Sequence, residues 1–73
     1  MTEKTRDNLE KAFVGEAKAY FRLTAFAKKA QEEGYPQVAR LFRAVAAAEG
    51  VHAGEHFALL EKVKSTEENL KSS

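Results

Sequence analysis

Three ionisable residues stand where two helical patterns are otherwise apolar. Glu16 comes three residues after Phe13 and four before Tyr20, so it falls inside the apolar face of a predicted first helix. Glu49 and His52 interrupt the apolar face of a predicted second helix in the same way. A carboxylate in such a place is costly unless a partner compensates its charge, and a metal ion would do so.

The spacing of these residues suits metal binding. Glu49 and His52 are three residues apart, so on a helix they are surface neighbours that can chelate one ion. In an antiparallel hairpin that turns at residues 34–35, Glu16 lies opposite residue 53, within one turn of both. Carboxylate oxygen with imidazole suits iron or manganese, and the absence of cysteine removes any thiolate site. We therefore predict Glu16, Glu49 and His52 as metal ligands.

Two further side chains lie near this level. His56 is one turn beyond His52 on the same face, where a role lining the bundle or beside the ligands is favoured over direct ligation, which stays open. Tyr20, four residues after Glu16, could donate its hydroxyl to a ligand carboxylate. A core tyrosine whose hydroxyl finds another partner explains it equally well.

The elements that must position these residues are two long helices. Gly34-Tyr35-Pro36 predicts a turn, because glycine suits the position just past a helix end and proline suits the first turn of the next helix. The flanking sequence predicts a helix at about 5–33, with Thr5 as its N-cap, and a second at about 36–64. No alternating pattern indicates a strand.

The segment 65–73 carries a separate signal. Ser65 and Glu68 stand at capping-box spacing, which predicts the start of a third helix. An ordinary polar, frayed end is the alternative.

With 73 residues, the chain is at most one domain and is marginal as a lone monomer. Lacking disulfides, it needs a metal or a partner subunit. Two helices alone would leave much of each apolar stripe in water, so we predict an all-α fold in which the hairpin dimerises into a four-helix bundle. The predicted stripes are Leu9, Phe13, Tyr20, Leu23, Ala27 and Ala30, and Val38, Leu41, Phe42, Val45, Leu59, Leu60 and Val63.

Charge and hydropathy argue against several classes of protein. Twelve basic residues face 11 acidic ones, which gives no reason to expect a nucleic-acid partner. No apolar run is long enough for a membrane span, and the first residues lack the apolar core of a secretory signal. We expect a soluble, cytoplasmic protein without a membrane partner.

Three segments together resemble the first half of a rubrerythrin, over about residues 5–63. The resemblance implies the ferritin-like fold and the ligand roles of Glu16, Glu49 and His52, with two iron ions per dimer or manganese in their place. The segments are Asn8-Leu-Glu-Lys-Ala-Phe-Val-Gly-Glu16-Ala-Lys-Ala-Tyr20, Phe26-Ala-Lys-Lys-Ala-Gln-Glu-Glu-Gly-Tyr-Pro36 and Ala39-Arg-Leu-Phe-Arg-Ala-Val-Ala-Ala-Ala-Glu49-Gly-Val-His52-Ala.

The chain departs from that family in three respects. The electron-transferring rubredoxin domain needs four cysteines, which are absent. The second half of the bundle is missing, so a second chain must supply its ligands. Family second halves carry an additional glutamate one turn after the first ligand, where this chain has Ala19.

The resemblance implies a di-iron oxidoreductase. It would reduce peroxide or use dioxygen to oxidise Fe(II), as a homodimer or larger homo-oligomer with an unidentified electron donor. A dimeric hairpin that stores metal or serves assembly without turnover is the alternative. A third interpretation is a fragment that pairs with a complementary half.

Overall fold

The structure is a computed structural model that describes residues 1–72 and consists of two long antiparallel helices followed by a short one. Helix α1 runs over Glu3–Glu32, α2 over Pro36–Leu59 and α3 over Thr66–Ser72. The described residues contain no strand, which confirms the all-α class. Helices α1 and α2 pack along each other, whereas α3 packs against neither.

Helix α1 begins earlier than predicted. Its N-cap is Thr2, whose side-chain oxygen accepts a hydrogen bond of 3.1 Å from the backbone N–H of Thr5. The prediction of Thr5 as N-cap was therefore wrong, because a threonine at the right spacing precedes it. Thr2 satisfies one of the amide groups that the first turn leaves unpaired.

The turn between the long helices is built by Gly34. Its φ of 84° lies in the left-handed region, which glycine adopts without steric cost. The N–H of Tyr35 then donates to Ala30 O at 2.8 Å, and that of Gly34 to Gln31 O at 3.2 Å. This is a Schellman motif, and Pro36 opens α2 directly behind it.

Helix α2 ends at Leu59 rather than near residue 64. Glu61 has φ 58°, and the N–H of Lys62 donates to Phe57 O at 3.2 Å, so a second Schellman motif stops the helix. The sequence has no glycine at this helix end, which is why the helix was predicted to continue to about residue 64. Leu60, the residue directly after the helix, is only 2% exposed, and its burial fixes the position of the chain at this helix end.

Helix α3 follows the Ser65 cap. The Ser65 hydroxyl accepts a hydrogen bond from the Glu68 backbone N–H at 3.2 Å. It also donates to the Glu68 carboxylate at 3.2 Å, so the glutamate contacts the capping side chain rather than the capping amide of the predicted box.

The most buried part of the contact between α1 and α2 consists mainly of alanines. On α2 the buried positions recur every seven residues and include Ala46 and Ala53, which lets the two backbones approach closely. Ring pairs fix the register, with Phe13 5.0 Å from Phe57 and Phe26 5.6 Å from Phe42 between centroids. The buried positions of the hairpin are Ala27, Ala30, Ala39, Ala46, Ala53 and Leu60.

Much of the predicted apolar stripe of the second helix lies outside this contact. This agrees with the expectation that two helices alone leave much of each stripe in water, because a single neighbouring helix covers only one narrow row. The exposed members are Val38, Leu41, Val45, Leu59 and Val63.

Within residues 1–72, no helix has the length and apolar character that crossing a lipid bilayer requires.

Candidate metal centre

Glu16 lies at the contact between the two long helices and points across it. Its Oε1 accepts a hydrogen bond from His56 Nδ1 at 2.6 Å. The Glu16 side chain is 19% exposed and that of His56 28%. The first predicted ligand is thus largely shielded from water and already held by a partner on the other helix.

The direction of helical side chains explains why His56, rather than His52, reaches Glu16. Side chains lean toward the N-terminus of their own helix, so a surface point is covered by a residue slightly C-terminal to it. In an antiparallel pair this shifts the partner of Glu16 from the level of residue 53 toward residue 56. That lean is the signal in the sequence that could have found the contact.

Glu49 and His52 lie beside this contact, with Glu49 half-buried and His52 exposed. Within residues 1–72 the structure gathers no group of three or more histidine, aspartate and glutamate side chains that could hold a metal ion. A single hairpin therefore does not close a site around Glu16, Glu49 and His52. Their assignment as ligands stays a prediction, as does any ligand role of His56.

Glu49 and His52 belong to two rows of residues along α2. Within each row the residues are seven positions apart, so their side chains point in nearly the same direction from the helix. We call these two rows the ligand face. One row is half-buried and the other exposed, and both are apolar apart from the predicted ligands and His56. The half-buried row is Phe42, Glu49 and His56, and the exposed row is Val38, Val45, His52 and Leu59.

Relative to the ligand face, Tyr20 lies on the opposite side of the buried alanines of α2. A Cβ added to Gly50 would meet two Tyr20 ring carbons at 3.2 and 3.3 Å, so the ring rests directly on this glycine. Glu49 and Gly50 are consecutive and project about 100° apart around the helix. Within residues 1–72 the Tyr20 hydroxyl makes no hydrogen bond. Its contact with a ligand carboxylate stays a prediction.

Two exposed polar contacts also link α1 to the rest of the hairpin. Lys62 Nζ lies 3.5 Å from a Glu10 oxygen, and Arg43 donates to Gln31 at 3.3 Å. Exposed pairs of this kind contribute little to stability. They contrast with the more buried contact of Glu16 and His56.

Comparison with known proteins gives one consistent family. The rubrerythrin family model matches residues 7–73. A nigerythrin from Nitratidesulfovibrio vulgaris is 50% identical over 60 residues, which cover 82% of this chain and 30% of that protein. A rubrerythrin from Porphyromonas gingivalis is 45% identical over 58 residues, 80% of this chain and 29% of that protein. Rubrerythrin-2 of Clostridium acetobutylicum is 38% identical over 58 residues, 80% of this chain and 32% of that protein.

These relatives are much longer than the matched part. The chain spans about 30% of the length of the relatives it matches. The family match nevertheless extends over nearly all of its own residues and includes both helices that carry the predicted ligands. The chain belongs to the rubrerythrin family.

Proposed function

We propose that this chain is one half of a non-haem di-iron carboxylate protein, an oxidoreductase whose metal site is completed by a second chain. The observation that carries the proposal is the ligand face. There, Glu49 and His52 stand among exposed apolar residues at regular spacing, beside the shielded Glu16. An apolar helix face of this kind needs a covering partner, and the partner would close the site.

The donor chemistry fits iron. Two copies of Glu16, Glu49 and His52 would provide four carboxylates and two imidazoles, the set that ferritin-like bundles use for paired iron or manganese ions. Each ligand would lie on a long helix rather than a loop. The same doubling explains why one hairpin alone gathers no complete cluster.

The residues of the chain would hold and shield the metal pair. Glu16 and Glu49 would neutralise the positive charge of the metal as carboxylates, and His52 would bind it as a neutral imidazole. Val45 and Leu59, covered by the partner, would keep bulk water away. When bound, the pair of iron ions supplies redox electrons and exchangeable positions for a small oxidant.

The reaction class is the reduction of peroxide or the oxidation of Fe(II) by dioxygen. Reducing hydrogen peroxide to two water molecules takes two electrons and two protons, and a separate electron donor must then restore the iron. The donor would come from another protein or domain, because the chain has no cysteine for a rubredoxin-type centre.

Two alternatives make different predictions. A second copy of this chain is the partner we favour, because one hairpin carries one complete half of the symmetric ligand set. A complementary half is the rival, which the length of the relatives supports. A module that stores metal or serves assembly would take up iron without turnover.

The test is iron-dependent consumption of hydrogen peroxide by the anaerobically loaded protein. The wild-type chain should bind iron, acquire near-ultraviolet absorption on oxidation and consume peroxide when supplied with a chemical reductant. Glu49→Ala should lose all three properties. Glu55→Ala is the matched control, because Glu55 is an exposed glutamate of the same helix outside the ligand face.

The outcomes separate the hypotheses. Iron binding without peroxide consumption or Fe(II) oxidation would leave only the storage role. Equal activity in Glu49→Ala and in wild type would contradict the proposed site.

A further inference from the structure

The contact between Glu16 and His56 differs from every other side-chain hydrogen bond in the described part of the chain. It is partly buried and joins α1 to α2 across forty residues of sequence. The remaining side-chain hydrogen bonds within residues 1–72 are exposed. A polar contact at this shielded position fixes the direction of both side chains more strongly than an exposed one.

The hydrogen bond uses one of the two carboxylate oxygens of Glu16 and one of the two ring nitrogens of His56. It uses Glu16 Oε1 and His56 Nδ1. The second oxygen of Glu16, Oε2, takes part in no hydrogen bond within residues 1–72. A carboxylate can accept on one oxygen and bind metal through the other. The flexible Glu16 side chain is thus held with a free oxygen beside the ligand face.

We propose that His56 is a positioning residue for the metal site: its Nδ1–H holds Glu16 Oε1, so that Oε2 is presented for metal binding. This inference rests on the proposed function. Residues that hydrogen-bond to metal ligands set their orientation, and their loss typically lowers metal affinity 10–100-fold. His56 acts through Glu16 and need not touch the metal.

The experiment measures Mn(II) binding by electron paramagnetic resonance. His56→Leu should bind Mn(II) roughly 10–100-fold more weakly than wild type, with the same number of ions per chain. His56→Asn should recover part of the affinity, because its amide nitrogen lies close to the position of Nδ1 and can donate to Glu16. Lys62→Gln is the control, since it breaks the exposed contact with Glu10 and should leave the affinity unchanged.

A second readout separates positioning from ligation. Electron spin-echo modulation counts the imidazole nitrogens coupled to bound Mn(II). That number should be the same in His56→Leu and in wild type. In the metal-free chain, nitrogen NMR should place the His56 ring proton on Nδ1, and Glu16→Ala should remove the signal of that hydrogen bond. Circular dichroism shows whether His56→Leu is folded. If it is not, the NMR measurement on the wild-type chain and on Glu16→Ala still tests the hydrogen bond.

Three outcomes would overturn the inference. The first is an affinity of His56→Leu within about threefold of wild type, and the second is a ring proton on Nε2. The third is the loss of a coupled nitrogen in His56→Leu, which would make His56 a ligand. A wild-type chain that binds no Mn(II) or iron would instead contradict the proposed function itself.

Discussion

Two neighbouring rows of helix α2 have the same spacing and opposite environments. One row is Ala39, Ala46 and Ala53, continued by Leu60 at the C-cap of α2, and it is buried against α1. The other, displaced by one residue, is Val38, Val45, His52 and Leu59, which is exposed. The first row is mainly alanine, whereas the second carries larger side chains and a predicted ligand.

The difference shows how side-chain size sorts the surfaces of a helix. Alanines allow α1 and α2 to approach closely but bury little apolar area, so the hairpin gains limited stability from this row. The larger residues keep much of their apolar area exposed within the hairpin. The row that packs α2 against α1 is therefore distinct from the row that the proposed partner would cover.

The largest effect should come from a charge placed in the exposed row. Val45→Glu should weaken association of the proposed dimer at least about 100-fold, because each copy would bury an unpaired carboxylate. Helicity of each chain should be retained, since Val45 is 41% exposed in the hairpin. Analytical ultracentrifugation over a range of concentrations measures the dissociation constant.

Ala44→Glu is the control, because Ala44 is exposed on the outer side of α2. It should associate as wild type does. Equal weakening by both variants would mean that the exposed row is not the interface.

The buried row should respond to size instead of charge. Ala46→Leu inserts a larger side chain where Ala46 is 3% exposed, and should lower the free energy of unfolding by about 1–3 kcal/mol. Ala44→Leu should change it by less than about 0.5 kcal/mol. Urea denaturation monitored by circular dichroism gives both values. Greater stability of Ala46→Leu would show that the two helices are not closely packed there.

The two helix ends offer a smaller comparison. Gly34→Ala should destabilise the chain by about 1 kcal/mol, because φ is 84° at this position. Glu61→Gly should stabilise it by about 0.5–1 kcal/mol, since Glu61 occupies the same backbone region at φ 58°. Thermal unfolding measures the opposite shifts. Shifts of the same sign would contradict the two capping motifs.

The smallest effects concern two glycines within α2. Gly54→Ala should raise the unfolding free energy by about 0.5–1 kcal/mol, because alanine favours the helix and nothing lies within 4 Å of the added Cβ. Gly50→Ala should gain less, since its Cβ would meet the Tyr20 ring at 3.2 Å. The difference in urea midpoint reports this contact. An equal gain in both variants would show that the ring moves freely.

The hairpin could be predicted because its signals are local. Gly34 and Pro36 fix the turn, and the turn fixes which levels of the two helices face each other. The end of α2 could not be predicted in this way. Glu61 adopts a left-handed backbone conformation, which a glutamate in the sequence does not indicate. The burial of Leu60 depends on packing against α1 and cannot be inferred from the local sequence.

The candidate site, like the fold, could be predicted from the sequence only in part. Polar residues at apolar positions pointed to Glu16, Glu49 and His52, and helix spacing placed them near one level. The partner of Glu16 is nevertheless His56, because side-chain lean decides among residues within one turn. The alanine row was missed because alanine suits both core and surface, so its seven-residue spacing carries little signal alone.

Native mass spectrometry of the iron-loaded chain tests the central claim most directly, because it counts subunits and metal ions in the same particle. The account predicts a dimer, or a multiple of it, with about two iron ions per pair of chains. Removal of the iron by a chelator should weaken the assembly. A monomer without iron, or a dimer that carries none and is unchanged by the chelator, would contradict it.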